Sequence, residues 1–171
     1  NSWGEDLVAE ELSGSEIHRI EKCFTDAALR AKAAGYDGVQ LHGCHGYIIN
    51  DFASDINQRT DAYGDRALLG CEIIRNIRNV CGEEFIISVR TTGCDPTVEE
   101  SIRIAERYVE AGCDYLQVSN GIQDVSGLPH DESLPYNRVV ALGVAFHSYF
   151  QGKAPVSAVN GSRTPETARS L

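Results

Sequence analysis

Two histidines, a cysteine and a tyrosine fall within six residues, His42-Gly43-Cys44-His45-Gly46-Tyr47, directly after the apolar run Tyr36 to Leu41. Imidazole and phenol groups donate hydrogen bonds and move protons, and imidazole also ligates metals. Gly43 and Gly46 allow backbone angles that other residues resist, so the stretch can turn back on itself. The histidine pair has three readings. His42 and His45 can be zinc ligands, although no third ligand of the usual kind stands nearby. They can clamp one carbonyl or phenolate oxygen through two N–H groups, stabilising the negative charge it develops. Or they are ordinary loop histidines. Two histidines flanking Gly-Cys favour the clamp. Tyr47 is a candidate proton donor, or it packs with its hydroxyl satisfied locally. Cys44 reads as a buried, inert thiol, as most free cysteines are.

Other apolar runs end in polar groups too. Arg90 closes Phe85 to Val89, and a charge there needs a partner, for which an anionic ligand atom is the expected choice. Ser119 and Asn120 close the run from Asp114. Asn160-Gly161-Ser162-Arg163 follows Pro155 to Val159 and precedes Thr164-Pro165. Backbone N–H groups ahead of a helix N-terminus suit a phosphate; the alternative is a plain turn.

The elements that must hold these groups alternate. Ser13 with Glu16 is a capping box, and Ile17, Ile20, Phe24, Ala27, Ala28 and Ala31 recur at helical spacing up to Gly35. Asp51 to Gly64 reads as a polar connection, long enough to suggest function. A second helix is predicted over Asp65 to Val80 and a second strand over Phe85 to Val89. Thr97 with Glu100 caps a third helix that ends at Gly112. Asp114 to Ser119 is a third strand, Gln123 to Leu134 a loop, Tyr136 to Phe150 a weak helix and Pro155 to Val159 a fourth strand. Pro165 opens a last helix. The strands read as apolar on both faces, as buried parallel strands do.

Helix-strand alternation specifies an α/β fold with a parallel sheet. The strand spacing of ~40 residues fits a partial TIM (β/α)8 barrel, about four parallel strands with flanking helices. A doubly wound sheet would usually carry a glycine-rich fingerprint after its first strand, and none is present. In a barrel all four polar strand ends share one face, which points to a site.

The 171 residues suffice for one core. A formal charge of −10 argues against a nucleic-acid binder, and no apolar run approaches the ~20 residues that cross a bilayer. The six cysteines are scattered with no CxxC, so a reducing, cytoplasmic setting is the simpler expectation than a disulfide framework. With no methionine and a start at Asn1, the chain is expected to be a piece of something longer.

The stretch Ala34 to Asn50 resembles the Old Yellow Enzyme family of FMN-dependent ene-reductases, in the branch of NADH:flavin oxidoreductases and 2,4-dienoyl-CoA reductases. Asn57-Gln58-Arg59-Thr60-Asp61-Ala62-Tyr63-Gly64, Ser88-Val89-Arg90 and Val159-Asn160-Gly161-Ser162-Arg163-Thr164-Pro165 resemble three further motifs of that family. The resemblance implies one domain over residues 1–171, equivalent to barrel strands four to seven, with strands one to three and eight missing. It implies FMN as cofactor and NADH or NADPH as reductant. His42 and His45 would bind the carbonyl oxygen of a small α,β-unsaturated substrate, and Tyr47 would be its proton donor. Arg90 would contact the flavin's pyrimidine edge, and Asn160, Gly161 and Ser162 its phosphate. The isolated piece is expected to be inactive, with a homo-oligomer left open. No histidine follows the third strand where dienoyl-CoA reductases carry an acid, which weakens that assignment. The rivals are a flavin-free phosphate-binding barrel, an aldolase or isomerase using His42 and His45 as acid and base, and a non-catalytic half-barrel binding module.

Overall fold

The structure, a computed structural model, describes residues 10–121, 126, 136–159 and 165. Helix α1 (Gly14–Ala33) opens on the expected capping box: Ser13 Oγ accepts from the Glu16 N–H, and the Glu16 carboxylate accepts from the Ser13 N–H at 2.8 Å. Strand β1 (Gly38–Gly43) begins later than predicted and runs through His42. A short helix α2 (Ile48–Ala53) runs into the stretch Asp51 to Gly64 read as a polar connection, and a 3-10 turn (Ala62–Gly64) ends it. Then follow α3 (Leu68–Cys81), β2 (Ile86–Thr92), α4 (Val98–Glu110), β3 (Tyr115–Ser119), α5 (Arg138–Phe150) and β4 (Val156–Ala158). Of the expected last helix only Pro165 is described, and most of the predicted 123–134 loop also lies outside the described residues.

All four strands are parallel, and their order in space, β1-β2-β3-β4, is their order in sequence. A doubly wound sheet reverses its strand order at a switch point. This sheet grows in one direction, as a barrel wall does.

The two faces of the sheet differ, contrary to the expectation of apolar residues on both. Register pairs His42 with Arg90, Arg90 with Gln117, and Gln117 with Ser157. Side chains alternate along a strand, so Gln40, Ser88 and Ser119 share that polar face. Leu41, Ile87, Val89, Leu116 and Val118 lie on the other, packed with Ile73, Ile74, Ile77, Phe146 and Phe150 of α3 and α5. Each such side chain contributes roughly 1.5–3 kcal/mol through burial. Among the described residues α3 and α5 pack on the Leu41–Val89 face, and burial against them makes that face apolar.

Two further expectations change. Thr97 Oγ1 accepts from the Glu100 N–H, but the Glu100 carboxylate does not return to complete a box. It pairs instead with Arg66 and Arg103. The Asn57–Gly64 segment is structural. Asn57 donates to the carbonyls of Phe52 and Tyr63, Arg59 pairs with Asp61, and Asp61 caps the 3-10 turn. The Tyr63 hydroxyl lies 2.9 Å from a carboxyl oxygen of Glu21 and of Glu72. All six cysteines are free thiols. Among the described residues, no helix is long and apolar enough to cross a membrane.

Helices α3 and α4 meet where Gly70 faces the buried Tyr108 ring. A Cβ at residue 70 would lie 2.4 Å from Tyr108 Cε1. Gly70→Ala should therefore destabilise by about 1–3 kcal/mol through overpacking, despite alanine's better helix propensity. Urea unfolding monitored by circular dichroism checks this. A raised midpoint would show that Tyr108 yields freely.

Candidate functional site

The site lies where β1, β2 and β3 end. After Gly43 the chain reverses sharply: His45 adopts φ 63° and Gly46 φ 71°, both in the left-handed region. That region is uncommon for a residue with a Cβ. The reversal folds His45 back over His42, with ring centroids 5.0 Å apart and planes at 83°. Tyr47, exposed at the N-cap of α2, sets its ring 4.7 Å from that of His42. The three predicted catalytic side chains are thus gathered into one cluster.

Arg90 joins them, but not from a strand end. It lies inside β2, beside His42 in register, with Thr91 and Thr92 beyond it. The apolar run that marked the strand stopped at Val89, while the backbone ladder continues through the two threonines, whose branched side chains suit a strand. Ser119, the last residue of β3, bridges the groups: its Oγ lies 3.1 Å from His45 Nε2 and accepts from Arg90 Nη2 at 3.2 Å. His45, Arg90, Ser119, Asn120, Val139 and Val159 line a cavity of about 330 Å³. Arg90 Nε and Asn120 Oδ1 are buried and have no hydrogen-bond partner among the described residues. An orphan donor and an orphan acceptor on one cavity are expensive unless a ligand satisfies them. Asn160, Gly161 and Ser162, the predicted phosphate turn, lie outside the described residues.

Electrostatics keep both rings neutral near pH 7. Burial, then His45 and Arg90, pulls His42 below the ordinary imidazole value; burial and Arg90 do the same to His45 along its inner edge. A neutral ring carries one N–H donor, so each histidine can offer a hydrogen bond to a ligand oxygen. Burial pushes the Cys44 thiol up to about 11. The expectation that the histidines lack a third metal-ligating neighbour fails. Cys44 Sγ lies 3.5 Å from His42 Nδ1, and a ligand atom from each of His42, Cys44 and His45 falls within 4.8 Å of the others.

The turn is held from below by a buried polar network that sequence reasoning missed. Asn50, on α2, accepts from the Gly46 N–H at 3.1 Å and donates to Asp95 Oδ2 at 2.9 Å. Ser54 donates to Asp95 Oδ1, and the Asp95 N–H donates to Ser101. Asn50, Ser54, Asp95 and Ser101 are all buried. The only local signal was an asparagine among Ile48, Ile49, Phe52 and Ala53. Asn50→Ala would leave the Gly46 N–H and Asp95 short of partners, a cost of about 1–3 kcal/mol. We expect a lowered urea midpoint and shifted His42 and His45 ring signals in NMR spectra. An unchanged spectrum would mean that the turn is held by other contacts.

The chain is similar to known proteins in sequence and in fold. Residues 2–126 match the family described as NADH:flavin oxidoreductase / NADH oxidase. The chain is 43% identical over 124 residues to an NADH oxidase of Thermoanaerobacter brockii, covering 67% of this chain and 19% of that protein. It is 32% identical over 166 residues to a cinnamate reductase of Clostridium sporogenes, covering 78% and 25%. Among solved structures, 2-naphthoyl-CoA reductase in complex with 2-naphthoyl-CoA superposes with a TM-score of 0.82 at 26% identity, covering 94% of this chain and 26% of that one. An old yellow enzyme homologue from Zymomonas mobilis gives 0.74 at 28% identity, covering 96% and 47%. The chain therefore spans between a fifth and a half of the length of these relatives.

Proposed function

The chain belongs to the NADH:flavin oxidoreductase / NADH oxidase family, and from that premise we propose that it forms part of an FMN-dependent ene-reductase. Its residues 1–171 correspond in this reading to strands four to seven of the eight-stranded barrel. When bound, FMN supplies hydride exchange, accepting from NADH or NADPH and donating to the β-carbon of an α,β-unsaturated carbonyl compound. The observation that carries the reading is the orphan pair, Arg90 Nε and Asn120 Oδ1, on the cavity beside His45. A donor and an acceptor on one cavity wall suit the mixed carbonyl and N–H edge of a pyrimidine ring.

The remaining roles belong to this chain's own side chains. Arg90 would hold the ring edge and offset the negative charge that reduction brings there. His42 and His45, neutral and nearly perpendicular, direct N–H groups at the substrate's carbonyl oxygen and stabilise its developing charge. Tyr47, against His42 and open to solvent, gives its phenolic proton to the substrate's α-carbon. Asn160, Gly161 and Ser162 offer backbone donors to the cofactor phosphate in this proposal. Family membership favours this over the flavin-free aldolase or isomerase reading, which would also want a strand-end lysine. The substrate remains a small unsaturated carbonyl compound, and homo-oligomerisation is a further proposal.

The test uses a protein with a complete barrel. It should purify with a flavin spectrum and consume NADH or NADPH in the presence of an α,β-unsaturated aldehyde or ketone. His42→Ala or His45→Ala should lower kcat about 10²–10³-fold. Tyr47→Phe should cut turnover of the unsaturated substrate about 10²-fold or more while leaving NAD(P)H consumption in the first half-reaction unchanged. A colourless protein, or full turnover without either histidine, would overturn the reading. Residues 1–171 alone should be inactive; stoichiometric FMN binding together with NADH-dependent turnover by this piece would refute that part.

A further inference from the structure

The turn after β1 holds one donor that the proposed reaction does not use. Cys44 is fully buried between the two histidines. Its Sγ stands 3.5 Å from His42 Nδ1, and the three ligand atoms of His42, Cys44 and His45 lie within 4.8 Å of one another. Atoms bound to one tetrahedral ion at about 2.0–2.3 Å sit roughly 3.3–3.7 Å apart. The His42–Cys44 separation already has that value, and the widest of the three need close by only about an ångström. The backbone does the gathering: the left-handed pair His45 and Gly46 brings the second imidazole back over the first. Two imidazoles and a thiol form a donor set taken by borderline-soft divalent ions, with a fourth position left open.

We propose that His42, Cys44 and His45 form a binding site for a thiophilic divalent cation such as Zn²⁺. The ion enters from the side on which His45 is exposed. One local charge acts against it. Arg90, close to both rings and bonded to Ser119, opposes a cation. Ligation offsets this by exchanging a proton for the metal: Cys44–SH and Zn²⁺ give Cys44–S–Zn⁺ and H⁺, with no change of oxidation state. The same imidazole rings serve the substrate oxygen in the proposed reaction, so metal and substrate compete for them. The metal site itself needs only the geometry of the turn and stands whether or not the ene-reductase reading does.

Co²⁺ provides a visible probe. Titrated into the purified, chelator-treated chain, one equivalent should produce a thiolate-to-cobalt charge-transfer band and the intense visible bands of tetrahedral Co²⁺. Zn²⁺ should displace both, and a pH indicator should register one proton released per ion. Cys44→Ala should abolish the charge-transfer band and weaken Zn²⁺ binding on the order of tenfold or more. Cys23→Ala, in the exposed thiol of α1, should change neither. Should Cys44→Ala fail to fold by circular dichroism, His45→Ala, which removes an exposed ring, should abolish the tetrahedral bands. A wild-type chain without the charge-transfer band, a band that persists in folded Cys44→Ala, or tetrahedral bands that persist in His45→Ala would overturn the proposal.

Discussion

One buried amide, that of Asn50, ties the histidine turn to the rest of the molecule. At one end it takes the Gly46 N–H; at the other it gives a hydrogen to Asp95, on the loop after β2. Asp95 is nearly inaccessible to solvent and is held by neutral donors, Asn50 and Ser54, while its own N–H goes to Ser101. A buried carboxyl with too few donors is costly, and networks of this kind gain strength when every member is satisfied. Asn50 and Asp95 therefore constrain each other. The position of His45 over His42, and the contact of Tyr47 with His42, are downstream of that constraint, because Gly46 joins His45 to Tyr47 at the N-cap of α2.

On this fixed base Ser119 acts as a hub. A single hydroxyl serves both His45 and Arg90, so the ends of β1, β2 and β3 are joined by side chains as well as by the ladder. Arg90 is placed by register, not by a loop: it is paired with His42 on one side and Gln117 on the other. A guanidinium on a strand interior has little freedom to relocate. Its Nε, without a partner among the described residues, is thus presented on the cavity wall.

Much of this could be read in advance, and the failures have physical causes. Ser13 with Glu16 announced α1, since both partners of a capping box are local. Thr97 with Glu100 looked the same, but Arg66 and Arg103 compete for the Glu100 carboxylate, and Arg66 comes from a distant stretch of chain. Helix α2 spans six residues, too few to display a helical period. In β2 the polar alternation Ser88, Arg90, Thr92 was present but masked by Ile86, Ile87 and Val89, which read as a run. The grouping of His42, His45 and Tyr47 was foreseeable because the residues adjoin; their tie to Asp95, 45 residues beyond Asn50, was not. Likewise Ser119 and Asn120 showed as polar strand ends, but their partners depended on register. The Asn57–Gly64 segment, whose motif helped to mark the family, braces its loop through Asn57, Arg59 and Asp61.

The two-sided sheet also separates two kinds of hereditary risk. Along each strand, neighbouring residues answer to different demands: Leu41 and Val89 to the packing beneath the helices, His42 and Arg90 to the polar face that carries the site. A single substitution on the polar face disturbs little of the packed interior, and one beneath the helices need not alter the groups that meet a ligand. Descendants of such a chain can explore new chemistry one residue at a time without first forfeiting the ability to fold. A sheet sealed by apolar side chains on both faces would deny them that latitude.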